Sequence, residues 1–243
     1  MKAKIIKDRS GGVNWVHCCW LFSSLLCLFM DSKYYLLPVG TDRREVANFY
    51  THLTGVILSM IGLPFLIAHI SKSGLPVFGF WVFGISSIVL YASSTLYHGV
   101  QRPKLKFQLE KVDHICIYFL IAGTNTPFAQ LYLDTPYREY FLFSLWGLVL
   151  LGTLYKLFFF GRWKIFSVLF YLFLGWMAAL VMPIMLEQMP ISSFWWIVIG
   201  GGSYSIGVIF YVWKKMTYHH AIWHLFVLGG TAGHYIALWQ TTS

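Results

Sequence analysis

From residue 50 onward the chain is a succession of apolar runs of about 20 residues, separated by short polar or basic breaks. A helix of that length spans the hydrocarbon core of a bilayer. Folded in water, the same runs would leave apolar patches far larger than soluble proteins tolerate. Charged residues make up 11% of the chain, whereas soluble domains carry about 25%. A soluble globule is excluded. The expected fold is all-α, an integral membrane bundle of transmembrane helices.

The runs place seven spans at 50–70, 76–97, 114–133, 140–159, 165–186, 192–213 and 220–239. Turn-forming or charged breaks such as Ser73-Gly74, Arg102-Pro103 and Gly161-Arg162 separate them. No loop is long enough for a soluble domain, so the chain divides into an extension, 1–41, and a membrane domain, 42–243. The net charge of +9 does not point to nucleic acid, because the basic residues sit in short loops, where they set topology and meet anionic headgroups. Lys33, Arg43, Arg44, Arg102, Lys104, Lys106, Lys111, Lys156, Arg162, Lys164, Lys214 and Lys215 fall on one side, and Lys72 and Arg138 on the other. This 12-to-two division predicts a cytoplasmic N-terminus and an outer C-terminus.

Residues 15–30 form a further apolar run behind Lys2, Lys4, Lys7 and Arg9. As an eighth span it would put those four charges outside, against the bias. As a signal peptide it lacks a small-x-small cleavage site. An interfacial segment, or an extension ahead of a start at Met30, fits better. Cys18, Cys19, Cys27 and Cys116 lie in apolar segments without metal-ligand spacing and read as free, buried thiols.

Ionisable groups inside spans are costly and commonly functional. Glu45, Asn48 and His52 share one face at the start of span 1. Ser94 and His98 end span 2, Asp113-His114 opens span 3, and His219, His220 and His224 open span 7. The topology puts Glu45, His98, Asp113, His220 and His224 at one membrane level, near the cytoplasmic face. His220 and His224 are a single helical turn apart, so both imidazoles can reach one ion. His98 would complete a three-histidine zinc site with its fourth position left to water, the arrangement of catalytic zinc. Asp113 and Ser94 could act from outside the ligand set.

The isolated His220/His224 pair is a weak signal, because the general-base Glu of an H-E-x-x-H motif is absent. His98 and Asp113 at the same depth shift the balance to metal binding. Glu45, Asn48 and His52 fit a helix cap or interhelical bonding as well as a function. His17 and His69 read as interfacial; His114, His219 and His234 read as packing or surface groups.

The segments E-V-A-N-F-Y-T-H (45–52), S-T-L-Y-H (94–98), K-V-D-H-I-C-I-Y-F-L-I-A-G-T-N-T-P-F (111–128) and H-A-I-W-H-L-F-V-L-G-G-T-A-G-H-Y (220–235) resemble the haemolysin III family, the bacterial branch of the progestin and adipoQ receptor superfamily. The resemblance covers about residues 42–240 and implies a seven-helix bundle with a cytoplasmic N-terminus. It also implies Zn²⁺ held by His98, His220 and His224, and Asp113 holding the zinc-bound water. Ser94 would match the serine of a wider membrane-hydrolase signature. Relatives of this kind have been assigned ceramidase-like lipid amide hydrolysis, and bacterial members are linked to membrane-fluidity homeostasis and haemolysis. Asn125 stands where bacterial members often have Tyr.

Three functions compete at this point. The first is a zinc-dependent hydrolase of a lipid amide or ester in the cell membrane, with Asp113 the favoured proton acceptor and Glu45 a weaker candidate. The second is a non-enzymatic membrane-state sensor in which zinc ties spans 2 and 7 together. The third, a haemolytic pore-former, has little support, since the chain lacks a soluble form or a polar lining face. Membrane lipids are the expected partners.

Overall fold

The computed structural model describes residues 42–242. The extension, including residues 15–30, His17 and three of the four cysteines, lies outside the described residues. Within them the chain is helical, with no strand. The α-helices are α1 (Arg43–Ser71), α2 (Phe78–Gly99), α3 (Pro103–Tyr132), α4 (Tyr137–Phe159), α5 (Lys164–Trp176), α6 (Met182–Met185), α7 (Ile191–Val212) and α8 (His219–Trp239). Five of them, α1, α2, α4, α7 and α8, are long and apolar enough to cross a membrane. Their outer faces carry large apolar side chains, such as Phe143 at 79% exposure and Phe158 at 75%, as a surface facing lipid does.

Two expected spans depart from a simple apolar rod, each for a physical reason. The third is present as the 30-residue α3, but it opens with Lys104, Lys106, Glu110 and Lys111 and carries Thr124, Asn125 and Thr126 in its interior. Those three are buried, because α3 is wrapped by α2, α4, α5 and α8. A helix shielded by protein need not be apolar all round, provided its polar groups bond. Thr124 and Thr126 do so, donating to the carbonyls of Leu120 and Ala122 at 2.8 and 2.7 Å.

The fifth, expected as one rod over 165–186, is broken. The α-helix stops at Trp176, a 3₁₀ turn covers Met177–Leu180, and the single-turn α6 follows. Pro183 has no N–H to donate to the Ala179 carbonyl one turn earlier, so a continuous helix through it would lose a bond of its ladder, whereas Pro is tolerated in the first turn of a new helix. The first span also begins earlier than the apolar run, because Asp42 caps it by accepting from the Arg44 backbone N–H at 3.0 Å.

The two ends of the bundle differ. The main apolar core gathers Leu66, Ile70, Phe80, Leu133, Phe141 and Leu238, at the end of α1, the start of α2 and the end of α8. The opposite end receives Glu45, His98, Asp113 and His220. Helix α8 is held tightly along its inner face. A Cβ at Gly233 would meet the Gly200 Cα at 3.0 Å and the Trp196 carbonyl at 3.2 Å, so α7 and α8 touch backbone to backbone through small residues.

Candidate metal centre

His98 lies in the last turn of α2, just before the chain turns extended at Val100. His220 and His224 lie in the first two turns of α8. The antiparallel hairpins α1–α2 and α7–α8 bring these ends together, and each imidazole offers one nitrogen within 4.8 Å of the others. The ring centroids are 5.1 Å apart for His98–His220, 5.2 Å for His98–His224 and 4.5 Å for His220–His224.

Two of the three rings have their other nitrogen engaged, which fixes how they face. His98 Nδ1 donates to Glu45 Oε2 at 3.0 Å, and Lys106 Nζ reaches the same oxygen at 2.8 Å. Asn48 Nδ2 is also 3.5 Å from His98 Nδ1, a contact rather than a bond once that nitrogen carries its proton. His98 Nε2 is then a buried lone pair with no hydrogen-bond partner. His224 Nδ1 donates to Thr51 Oγ1 at 2.9 Å, with the Asn48 carbonyl at 3.2 Å. Its Nε2 is left as the free acceptor. A carboxylate or carbonyl behind an imidazole, fixing its tautomer and raising its basicity, is the usual support of a metal-ligating histidine. The orphaned His98 Nε2 is costly unless something occupies the space between the rings, and a divalent cation that favours neutral imidazoles fits it.

The remaining predicted residues divide by position. Asp113, 7% exposed, lies outside the three-histidine group and faces the Ser94 side chain. The Ser94 hydroxyl is fully buried and makes no hydrogen bond of ordinary geometry. Asp113, His220 and His224 line a cavity of about 480 Å³, a size typical of small-molecule sites. Glu45, Ser94 and His98 are behind its wall, so Glu45 stands as a support for His98.

Three further residues enter the site. Thr51 was not singled out by spacing; threonine in a helix ordinarily bonds back to its own carbonyls, and Thr51 does that as well. His52, grouped by spacing with Glu45, stacks on His224 with centroids 3.5 Å apart and planes 16° apart. Both its nitrogens are buried without a partner. His114, expected to be a packing group, lines the cavity beside Asp113 while its Nδ1 bonds to the Glu110 carbonyl at 2.7 Å.

The cavity is enclosed by α3, α5, α7 and α8 and is walled mainly by apolar residues such as Leu120, Phe128 and Val198. Trp176 and Ser205, which also line it, are joined by a 3.1 Å hydrogen bond at the exposed edge between α5 and α7. The cavity therefore extends from the histidine cluster toward the apolar exterior.

Residues 41–235 match the family model described as Haemolysin-III related. The chain belongs to the haemolysin III family. It is 42% identical to the hemolysin-3 homolog of Bacillus subtilis over 194 residues, 79% of this chain and 91% of that protein. To hemolysin-3 of Bacillus cereus it is 41% identical, over 78% of this chain and 88% of the other. The human monocyte to macrophage differentiation factor is 30% identical over 206 residues, 82% of this chain and 85% of its own. That likeness is consistent with membership of the progestin and adipoQ receptor superfamily. No solved structure gives a significant match. The haemolysin III match takes in all six site residues expected from the sequence, from Glu45 to His224.

Proposed function

We propose that this haemolysin III family member is a zinc-dependent hydrolase of a lipid amide or ester, embedded in the cell membrane. The observation that carries this reading is the separation of roles at one cavity. His98, His220 and His224 converge on a point, while Asp113 stays outside their group and opens onto the same apolar space. Those three histidines would hold a zinc ion, which when bound would supply Lewis acidity and lower the pKa of water toward ~7. Glu45 and Thr51 orient two of the imidazoles. Asp113 accepts the proton of the attacking water, and Ser94, whose side chain faces it, is placed to orient the carboxylate. The apolar walls exclude bulk water and take an acyl chain, which enters from lipid past Trp176 and Ser205.

The test is release of fatty acid from vesicles containing an N-acyl sphingoid lipid or a phospholipid ester by zinc-loaded protein. Release that stops on chelation and returns with zinc is expected. Stoichiometric zinc without release from either lipid would move the balance to the reading in which zinc clasps α2 to α8.

The same proposal includes a seven-span topology with the N-terminus in the cytoplasm. In it α3 and the broken segment from α5 through α6 join the five apolar helices. A reporter fused after Ser243 should then read as non-cytoplasmic, and one inserted between Arg102 and Lys106 as cytoplasmic. The opposite pattern would overturn the span count and the cytoplasmic depth of the histidines.

A further inference from the structure

His234 and Asn125 occupy the deep part of the same cavity, away from the metal-ligating histidines. Both line it, and both are more than nine-tenths buried, at 7% and 8% exposure. His234 is ten residues beyond His224 on α8, which places it ~15 Å further along the helix axis. Asn125 is one turn from Phe128 on α3, and the Phe128 ring is 6.2 Å from His234, so the two polar residues share a depth. Around them the walls are mostly apolar, and the neighbouring Thr124 and Tyr204 hydroxyls are already hydrogen-bonded, to the Leu120 carbonyl and to Thr231.

Their hydrogen bonds fix what they present. The His234 ring stacks on Tyr204, centroids 5.6 Å apart, and its Nδ1 lies 2.7 Å from the Gly230 carbonyl. A carbonyl only accepts, so Nδ1 carries the proton and Nε2 is a bare lone pair. Asn125 Nδ2 donates to the Ile121 carbonyl at 2.8 Å, which orients the amide and leaves Oδ1 as an acceptor. Neither Nε2 nor Oδ1 has a hydrogen-bond partner among the described residues. An open acceptor on His234, beside an amide whose second Nδ2 hydrogen is also unused, calls for a group that both donates and accepts. A charged ammonium is costly at that depth and cannot accept, whereas a neutral hydroxyl on the chain does both.

We infer that the cavity takes an acyl chain bearing a hydroxyl, which donates to His234 Nε2 and accepts the second Nδ2 hydrogen of Asn125, about 15 Å along α8 from His224. This rests on the reading that an acyl ligand enters with its polar end at those histidines. An unadorned chain would leave both polar groups dry and unpaired, and sites built to hydrogen-bond a hydroxyl reject analogues lacking it. The subsite thus selects the chain, separately from the chemistry at the other end.

The probes are ω-hydroxydodecanoate and dodecanoate, whose extended length is close to that separation. Binding of each to zinc-loaded full-length protein is measured in nanodiscs by calorimetry. Desolvation of the hydroxyl favours dodecanoate wherever the pocket is purely apolar. The wild type should instead prefer the hydroxylated probe by at least about tenfold. His234→Leu and Asn125→Leu should each reverse or abolish that preference while keeping affinity for dodecanoate. Equal binding of the two probes by the wild type would mean that water alone fills the subsite, and would overturn the inference while leaving acyl binding intact. A preference that survives both substitutions would overturn it as well. If neither probe binds, the acyl reading of the cavity falls and takes this inference with it.

Discussion

Alanine at His98 is expected to give protein that inserts and folds but carries no zinc. His98 is the only member of the ligand group supplied by α2, since His220 and His224 both come from α8. Two imidazoles one turn apart on a single helix are too few for a zinc site, which takes at least three protein ligands. Removing the His98 ring also removes the buried, unpartnered Nε2, so the apo fold loses no hydrogen bond at that atom. Glu45→Gln provides the contrast. It keeps an acceptor oxygen near His98 Nδ1 but removes the charge that Lys106 and the imidazole share, and the loss of an outer partner costs about 10–100-fold in affinity. Metal content of purified protein, after equilibration with zinc and removal of excess, separates the cases. Wild type should carry one equivalent, Glu45→Gln should lose it at low free zinc and regain it at high, and His98→Ala should stay empty throughout. Stoichiometric zinc in His98→Ala would show that α2 does not contribute a ligand.

The site was more legible in the sequence than the helices that carry it. Spacing alone puts His220 and His224 on one face, and alternating spans bring His98 and Asp113 to the same end whatever the details of packing. The structure joins the three histidines as that pattern requires. The five apolar helices were equally plain, because run length is a one-dimensional property. Helix α3 was harder, since its polar interior makes sense only once the helices packed around it are in place. The break in the fifth span had a local signal in Pro183, but apolar residues on both sides hid it.

What spacing could not give was contact across helices. Thr51 looks like an ordinary helical threonine until α8 brings His224 Nδ1 to 2.9 Å. His234 reads as a packing group until the same helix is seen to line a cavity from His220 through His224 to His234. In each case the residue's role is set by a partner more than 100 positions away or by a space that several helices enclose.

Asn in place of Asp113 is expected to separate the metal from the reaction. The substitution preserves volume, so the packing of α3 against α2 is undisturbed, and the amide can still face Ser94. Asp113 is not one of the three converging ligands, so zinc should remain at one equivalent. What the amide lacks is a basic oxygen. An asparagine cannot accept the proton of an attacking water, and a positioned general base contributes about 100–10,000-fold. The turnover number of zinc-replete Asp113→Asn should fall by that factor, with acyl-chain binding unchanged, since the cavity walls are otherwise intact. Ser94→Ala should fall less, because it removes a support for the carboxylate and not the carboxylate itself. A split of this kind, full zinc and full binding with little turnover, is what a proton acceptor beside a metal produces and a structural clasp does not. Should Asp113→Asn turn over at the wild-type rate, the proton goes elsewhere. The convergence of α2 and α8 on one ion would then be better read as a tie between helices, sensing the membrane rather than acting on its lipids.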